Sequence, residues 1–139
     1  MRYVAGFLFQ GNKVVLVRKN KPAWQLGRLN GVGGKIEDGE TPDQAMYREF
    51  FEETGVKILT WKRFTVVAGD GFEVHFFYAR GDVSKVRTME EEEIVIFPSD
   101  NVTVHNAIPN LTWLIPMAKS MDYDRAEQFT VYEHYQEKA

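Results

Sequence analysis

Three glutamates stand where their carboxylates can work together. Glu49, Glu52 and Glu53 lie at i, i+3 and i+4 within Arg48-Glu49-Phe50-Phe51-Glu52-Glu53, so on a helix they share one face. Like charges at that spacing repel one another and weaken an isolated helix. A chain that keeps them has a use for a cation between them. Hard divalent cations take oxygen ligands, and Mg2+ in particular is held by a few carboxylates together with substrate phosphates. Upstream, Gly31, Gly33, Gly34 and Gly39 form a stretch with little side-chain bulk, where backbone groups can approach a ligand or metal closely. A glycine-rich loop, a helix and a carboxylate cluster together read as a metal-assisted phosphate site. Taken alone, an acidic helix face is more often a solvated face; the fixed spacing to Gly34, Glu40 and Arg48 reverses that balance.

The helix that must carry these acids is well specified. Thr41 is a good N-cap, Pro42 suits the first helical position, and Asp43 favours the positive helix start. Gln44, three residues after Thr41, completes a capping-box pattern, and Gly55 supplies the stop. Met46 with Phe50, and Tyr47 with Phe51, are expected to make apolar contacts away from the acids. Arg48 is expected to pair with a neighbouring glutamate, its rigid fork holding that acid in place and ionised. Glu40 reads either as a metal or structural partner of the helix or as a simple salt-bridge acid.

The pattern Gly34-x5-Glu40-x7-Arg48-Glu49-Phe50-x-Glu52-Glu53-x-Gly55-Val56 resembles the Nudix box at every specified position. It covers about a sixth of the chain, and a chance match in a chain this size is roughly a one-in-a-million event at average composition. The resemblance, of the MutT-like kind, implies an α+β Nudix fold: an α/β/α sandwich with a central mixed β-sheet. It implies hydrolysis of a nucleoside diphosphate linked to another moiety, foremost a canonical or modified nucleoside triphosphate going to monophosphate and pyrophosphate. It also implies Mg2+ held by Glu49, Glu52, Glu53 and the Gly33 carbonyl, with Mn2+ expected to substitute because both prefer oxygen ligands. One glutamate takes the water's proton, with Glu52, Glu53 and a later acid all in play. That later acid is expected shortly before the strand Ile94–Pro98, and Glu91 is its best registration, with Glu90 or Glu92 one residue away. For most acids of the run 90–93 the plainer reading is a gatekeeping role before an apolar strand. Two other functions stay open: hydrolysis of a nucleotide sugar, ADP-ribose, dinucleoside polyphosphate or capped RNA, and non-catalytic nucleotide sensing.

The segment Arg28-Leu29-Asn30-Gly31-Val32-Gly33-Gly34-Lys35 is similar to the matching loop of the vertebrate-type oxidised-purine triphosphatases. That likeness implies that Asn30 hydrogen-bonds a purine edge; the local alternative is an Asn bonding its own turn. Lys35 either orients a catalytic carboxylate or meets the phosphates as a point charge. Arg18, at a strand end, either reaches a phosphate or is simply solvated. Trp24 caps the core or the substrate site, with core favoured. The related enzymes carry base-recognising acids in a Pro-Asp-Asp stretch before the late helix. Here Pro109-Asn110-Leu111 stands instead, which argues against 8-oxoguanine selectivity. Trp113 stacks on a base or fills core, Phe72 is a further pocket candidate, and His75 reads as structural.

The rest of the chain frames this site. Its 139 residues are expected to form one domain, 1–139. Strands are expected at Tyr3–Phe9, Lys13–Arg18, Ile58–Ala68, Glu73–Arg80 and Ile94–Pro98, with a last strand from Gln128 to Tyr135 in which Phe129 and Val131 face inward. Gln136 to Ala139 is expected to fray. Val14 to Val17 are continuously apolar, as in a strand buried on both faces. Pro116 belongs in a first helical turn, so the late helix is expected to start near Trp113 to Ile115. A net charge of −3 gives no basic field for duplex nucleic acid. The absence of cysteine excludes a disulfide framework and Cys-ligated zinc, and no apolar run is long enough to span a membrane. The expected partner is a small-molecule nucleotide, the expected location the cytoplasm, and a homodimer is compatible with the reading.

Overall fold

In a computed structural model that describes residues 1–121 and 129–133, the chain begins with two strands whose side chains alternate between two cores. These are β1 (Arg2–Gln10) and β2 (Lys13–Arg18). Ala5, Phe7, Phe9, Val14 and Leu16 enter one apolar cluster, while Val4, Leu8, Val15 and Val17 enter the other. The continuous apolar runs are thus period-two strands covered on both faces.

The strands that follow are β3 (Leu29–Asn30), β4 (Val32–Lys35), β5 (Lys62–Gly69), β6 (Phe72–Arg80), β7 (Glu93–Pro98) and β8 (Phe129–Tyr132). They form one mixed eight-stranded sheet in the order β3-β2-β1-β6-β5-β8, with β4 joined to β1 and β7 to β2. The edge of β1 forks: Leu8 to Gln10 pair with β2, while Tyr3 to Gly6 pair with β4. Its other edge runs parallel to β6.

Two helices cover the two faces, giving helix, sheet and helix layers. α1 (Pro42–Thr54) buries Ala45, Met46 and Phe50 on one face. α2 (Leu111–Ser120) buries Leu111, Leu114, Ile115 and Ala118 on the other. α1 comes close because Gly6 lies beneath it; a Cβ there would meet Met46 Sδ at 2.8 Å and the Trp61 ring at 2.9 Å. The capping box forms as the sequence specifies. Gln44 N–H donates to Thr41 Oγ1 at 3.1 Å and Thr41 N–H donates to Gln44 Oε1 at 2.9 Å. Gly55 closes the helix at φ 77°, its N–H donating to Phe51 O.

Several expectations are corrected. Phe51 does not turn inward with Tyr47; it is exposed beneath the Lys57 ammonium, 5.5 Å from the ring centre. Residues 58–61 are not strand, because Ile58 and Trp61 pack beside α1 before the chain joins the sheet. α2 starts at Leu111, so Pro116 lies inside it. The apolar positions 111, 114, 115 and 118 reach back past the proline, and turn-type bonds from Leu111 N–H to Ile108 O and Thr112 N–H to Pro109 O lead the chain in. β8 ends at Tyr132, short of the expected Tyr135, with Val131 against the core; the expectations for the Phe129 side chain and for residues 136–139 fall outside what is described. Among the described residues no helix is long and apolar enough to cross a membrane.

Candidate active site

Arg48 is the hub of the outer face of α1. Its Nε donates to Glu40 Oε2 at 2.6 Å and its Nη2 to Glu40 Oε1 at 2.9 Å, a two-bond fork on one carboxylate. Nη1 donates to Glu49 Oε1 at 2.9 Å and to Glu52 Oε2 at 3.4 Å, and Nη2 also donates to Lys35 O at 3.0 Å. One guanidinium therefore joins the loop before α1, the end of β4 and the acid row. The Arg48 hydrogen bonds hold the Glu40 carboxyl below its usual range, and those carboxylates keep Arg48 charged. Glu40 is thus an ion-pair partner that ties the loop before α1 to the helix.

Glu49 and Glu53 face inward. Burial raises the Glu49 carboxyl above its ordinary value against the pull of Arg48. Its carboxylate lies against the Gly34 backbone, so that a Cβ at Gly34 would fall 2.5 Å from Glu49 Cδ. Gly33 is equally confined: a Cβ there would overlap the Val4 carbonyl of β1. Burial, then the charge of Glu49, pushes Glu53 up to about 8, with Lys19 pulling the other way. Its Oε2 is buried and has no hydrogen-bond partner. A buried carboxylate oxygen left unanswered is costly, and a cation is the partner its chemistry suits.

The donor set, carboxylates and glycine backbone, fits a hard divalent cation by type. It does not form a finished cage, since among the described residues no three His, Cys, Asp or Glu side chains converge on one point. Glu52 accounts for this, being half-exposed and turned to Arg48.

Two of the expected site residues stand apart from the buried acids in this structure. Glu91 and Glu90 are both exposed, and it is Glu90, one of the two alternatives, whose charge raises both Glu49 and Glu53. The register follows from Met89, whose N–H donates to Glu53 O at 3.1 Å and so sets Glu90 next to the helix end. Glu92 turns aside to Lys19 Nζ and Asn20 N–H. Arg18 does not reach the site either. It bonds its cross-strand neighbour Glu93 at 3.1 Å and Gly27 O at 3.3 Å, and the next residue, Lys19, lines the pocket instead.

That pocket holds about 540 Å3 and meets the acid site at Gly33 and Gly34. Tyr3, Phe72 and Phe76 give it an apolar floor, and Asn30, Asn110 and Lys35 stand among its polar groups. Size and lining suit a ligand of drug-like dimensions. Asn30 accepts from Gly31 N–H at 2.8 Å and donates to Gln25 at 3.2 Å, so it satisfies its own turn while lining the pocket. Trp24, favoured for the core, lines the pocket from an exposed turn, while Trp113 is partly buried against the core and is not a lining residue. His75 is a structural residue held between Arg63 at 3.0 Å and Glu73 at 3.2 Å. Lys19 and Tyr3 are the lining residues the sequence reading missed. Lys19 left a signal, a cation beside the one chosen.

A family model described as "NUDIX domain" matches residues 1–132. The chain is 28% identical over 121 residues to an oxidized purine nucleoside triphosphate hydrolase of Mus musculus, covering 83% of this chain and 77% of that one. It is 43% identical over 47 residues to an 8-oxo-dGTP diphosphatase of Escherichia coli K12. That match covers 34% of this chain and spans only 36% of the relative's length. In structure it resembles a NUDIX hydrolase from Nitrosomonas europaea at TM-score 0.77 and 16% identity, over 96% of this chain and 78% of that one.

Proposed function

The chain belongs to the NUDIX domain family, and from that premise we propose that it is a Mg2+-dependent hydrolase of a nucleoside triphosphate, canonical or modified. The products are the nucleoside monophosphate and pyrophosphate. One observation carries the reading: Glu49 lies against Gly34, which lines a nucleotide-sized pocket, and its charge reaches the neighbouring Glu53, whose Oε2 is buried without a partner. The printed names of the relatives, two of them hydrolysing nucleoside triphosphates, support the same substrate class.

Glu49, Glu52, Glu53 and the Gly33 carbonyl would hold a divalent cation, which when bound would supply charge neutralisation and a more acidic water; Mn2+ would fit the same oxygen donors. The chain's own residues do the rest. Gly33 and Gly34 let the phosphates come close to the backbone. Lys19 and Lys35 stand at the pocket as counter-charges. Arg48 keeps Glu49 oriented. Water attacks one phosphorus, a new P–O bond forms, and the bridging P–O bond breaks to release pyrophosphate. The water's proton passes to a carboxylate of this face, Glu52 being the exposed candidate and Glu53 the inward one. The base sits over Tyr3 and Phe72 with the Asn30 and Asn110 amides at its edge. Those neutral amides favour no charged base form.

The test is a panel of canonical, oxidised and methylated triphosphates, ADP-ribose, nucleotide sugars and diadenosine polyphosphates, assayed with Mg2+ by chromatography. Preference for one triphosphate with pyrophosphate released, and loss of turnover in Glu53→Gln, supports the reading. Cleavage only of a diphosphate such as ADP-ribose overturns the substrate class, and full activity in both Glu52→Gln and Glu53→Gln overturns the acid site.

A further inference from the structure

The two polar walls of the pocket come from distant parts of the chain. Asn30 stands on β3, and Ile108 and Asn110 stand on the stretch that leads into α2. Only one residue of β3 joins them through the backbone: Leu29 N–H donates to Asn106 O at 2.9 Å, and Ile108 N–H donates to Leu29 O at 2.9 Å. Ala107, Ile108 and Leu111 seat the stretch in the core, and Leu29 ties its middle to β3, while the exposed part at Thr103, Val104 and His105 is held by neither. Arg28, which does not line the pocket, grips that part. Its Nη1 donates to Val104 O at 2.9 Å and to Ala107 O at 3.3 Å. The stretch it grips is internally stapled, with Asn106 accepting from Thr103 N–H and donating to Asn101 O, both at 2.9 Å. The stapled loop runs on through Ala107 and Ile108 to Asn110, so what places it also bears on Asn110.

We propose that Arg28 is a positioning residue for the base-binding half of the pocket. It sets the gap between Asn30 and Asn110, and so substrate affinity, without touching the substrate. This rests on the nucleotide reading above. Groups placed by supporting contacts lose affinity when those contacts go, even where the groups themselves stay. The acid helix has no part in the Arg28 contacts, so binding and chemistry separate.

The experiment measures kcat and KM for the preferred nucleotide on the full chain with Mg2+. It adds Mn2+ titration and calorimetric binding of a non-hydrolysable triphosphate. Loss of a charged donor to backbone carbonyls is expected to raise KM about tenfold in Arg28→Ala. kcat should stay within about twofold and Mn2+ affinity should not change. Arg28→Lys should recover part of the loss, because a single nitrogen makes both bonds. Asn106→Ala, which loosens the same stretch from another side chain, should show the same split. An unchanged KM in Arg28→Ala, or a fall in kcat with loss of Mn2+ affinity, overturns the proposal. If Arg28→Ala does not fold, an unchanged KM in both Arg28→Lys and Asn106→Ala overturns it. A wild-type chain that neither binds nor hydrolyses a nucleotide sinks the functional reading, and this proposal with it. A wild type that does both beside an indistinguishable Arg28→Ala sinks this proposal alone.

Discussion

Arg48→Ala removes a cation that answers oxygens from four residues at once. Glu40 loses a bidentate fork, Glu49 loses the one charge opposing its burial, and Lys35 O and Glu52 lose weaker bonds. The side chains of Arg48, Glu40 and Glu49 are 23%, 17% and 16% exposed. That places the cluster between surface pairs, worth up to about 1 kcal/mol, and buried pairs, whose one-sided loss costs about 3–5 kcal/mol. An intermediate cost of about 2–3 kcal/mol is expected, equivalent to a fall in Tm of about 6–9 °C for a chain of this size. Urea unfolding at pH 7 in metal-free buffer measures it. A double-mutant cycle with Glu40→Gln should return a coupling of about 1–2 kcal/mol. The pH dependence has a fixed sign. Arg48 depresses the folded-state pKa of Glu40, so this contribution is present above the unfolded value of 4.5. It fades as pH falls through the depressed value. A loss below about 0.5 kcal/mol, or a coupling near zero, would refute the view that Arg48 organises this face.

The buried Glu53 gives the opposite slope. Its folded pKa of about 8 exceeds the ordinary 4.5, so the metal-free native state binds the extra proton between those values. Stability then falls as pH rises through that window, by at most about 1.4 kcal/mol per unit. Thermal melts in chelator from pH 5 to 9 should show this decline flattened in Glu53→Gln; equal slopes in both proteins would contradict it. Pro116 lies exposed inside α2, where it can offer no N–H. Pro116→Ala should stabilise by about 1–2 kcal/mol after the lost rigidity of the unfolded chain is subtracted; a destabilised variant would show that the ring serves the fold.

The parts of the site that could be read from sequence are those specified over short distances. The cap at Thr41, the stop at Gly55 and the helix between them depend on neighbours within a few turns, and all stand where the spacing put them. The same is true of the alternating cores of β1 and β2. What was missed depends on contacts across the chain. Arg18 and Lys19 look alike in sequence, and only the β2–β7 pairing gives Arg18 to Glu93. Glu90 and Glu91 differ by one step, and only the bond from Met89 to Glu53 O chooses between them. Trp24 lines the pocket although core was favoured, and Trp113, for which both stood open, packs on the core, because an aromatic residue's type does not say which surface it will meet. The proline rule misplaced α2 because tertiary burial of Leu111 and Leu114 outweighed the local preference.

The parallel pairing of β1 with β6, from Arg2 beside Glu73 to Phe9 beside Arg80, governs the order in which this protein can be completed during synthesis. The glycine loop and the glutamate helix leave the ribosome before β6 exists. Until then, the strand that floors the pocket lacks its longest neighbour. The N-terminal ammonium itself waits for Gly71 O, to which it donates at 2.8 Å. Closure over about seventy residues is slow compared with making a helix. A growing chain stopped short of Phe72 therefore carries its complete row of acids on α1 while the β6-facing edge of β1 is still open, the kind of unpaired edge that invites association.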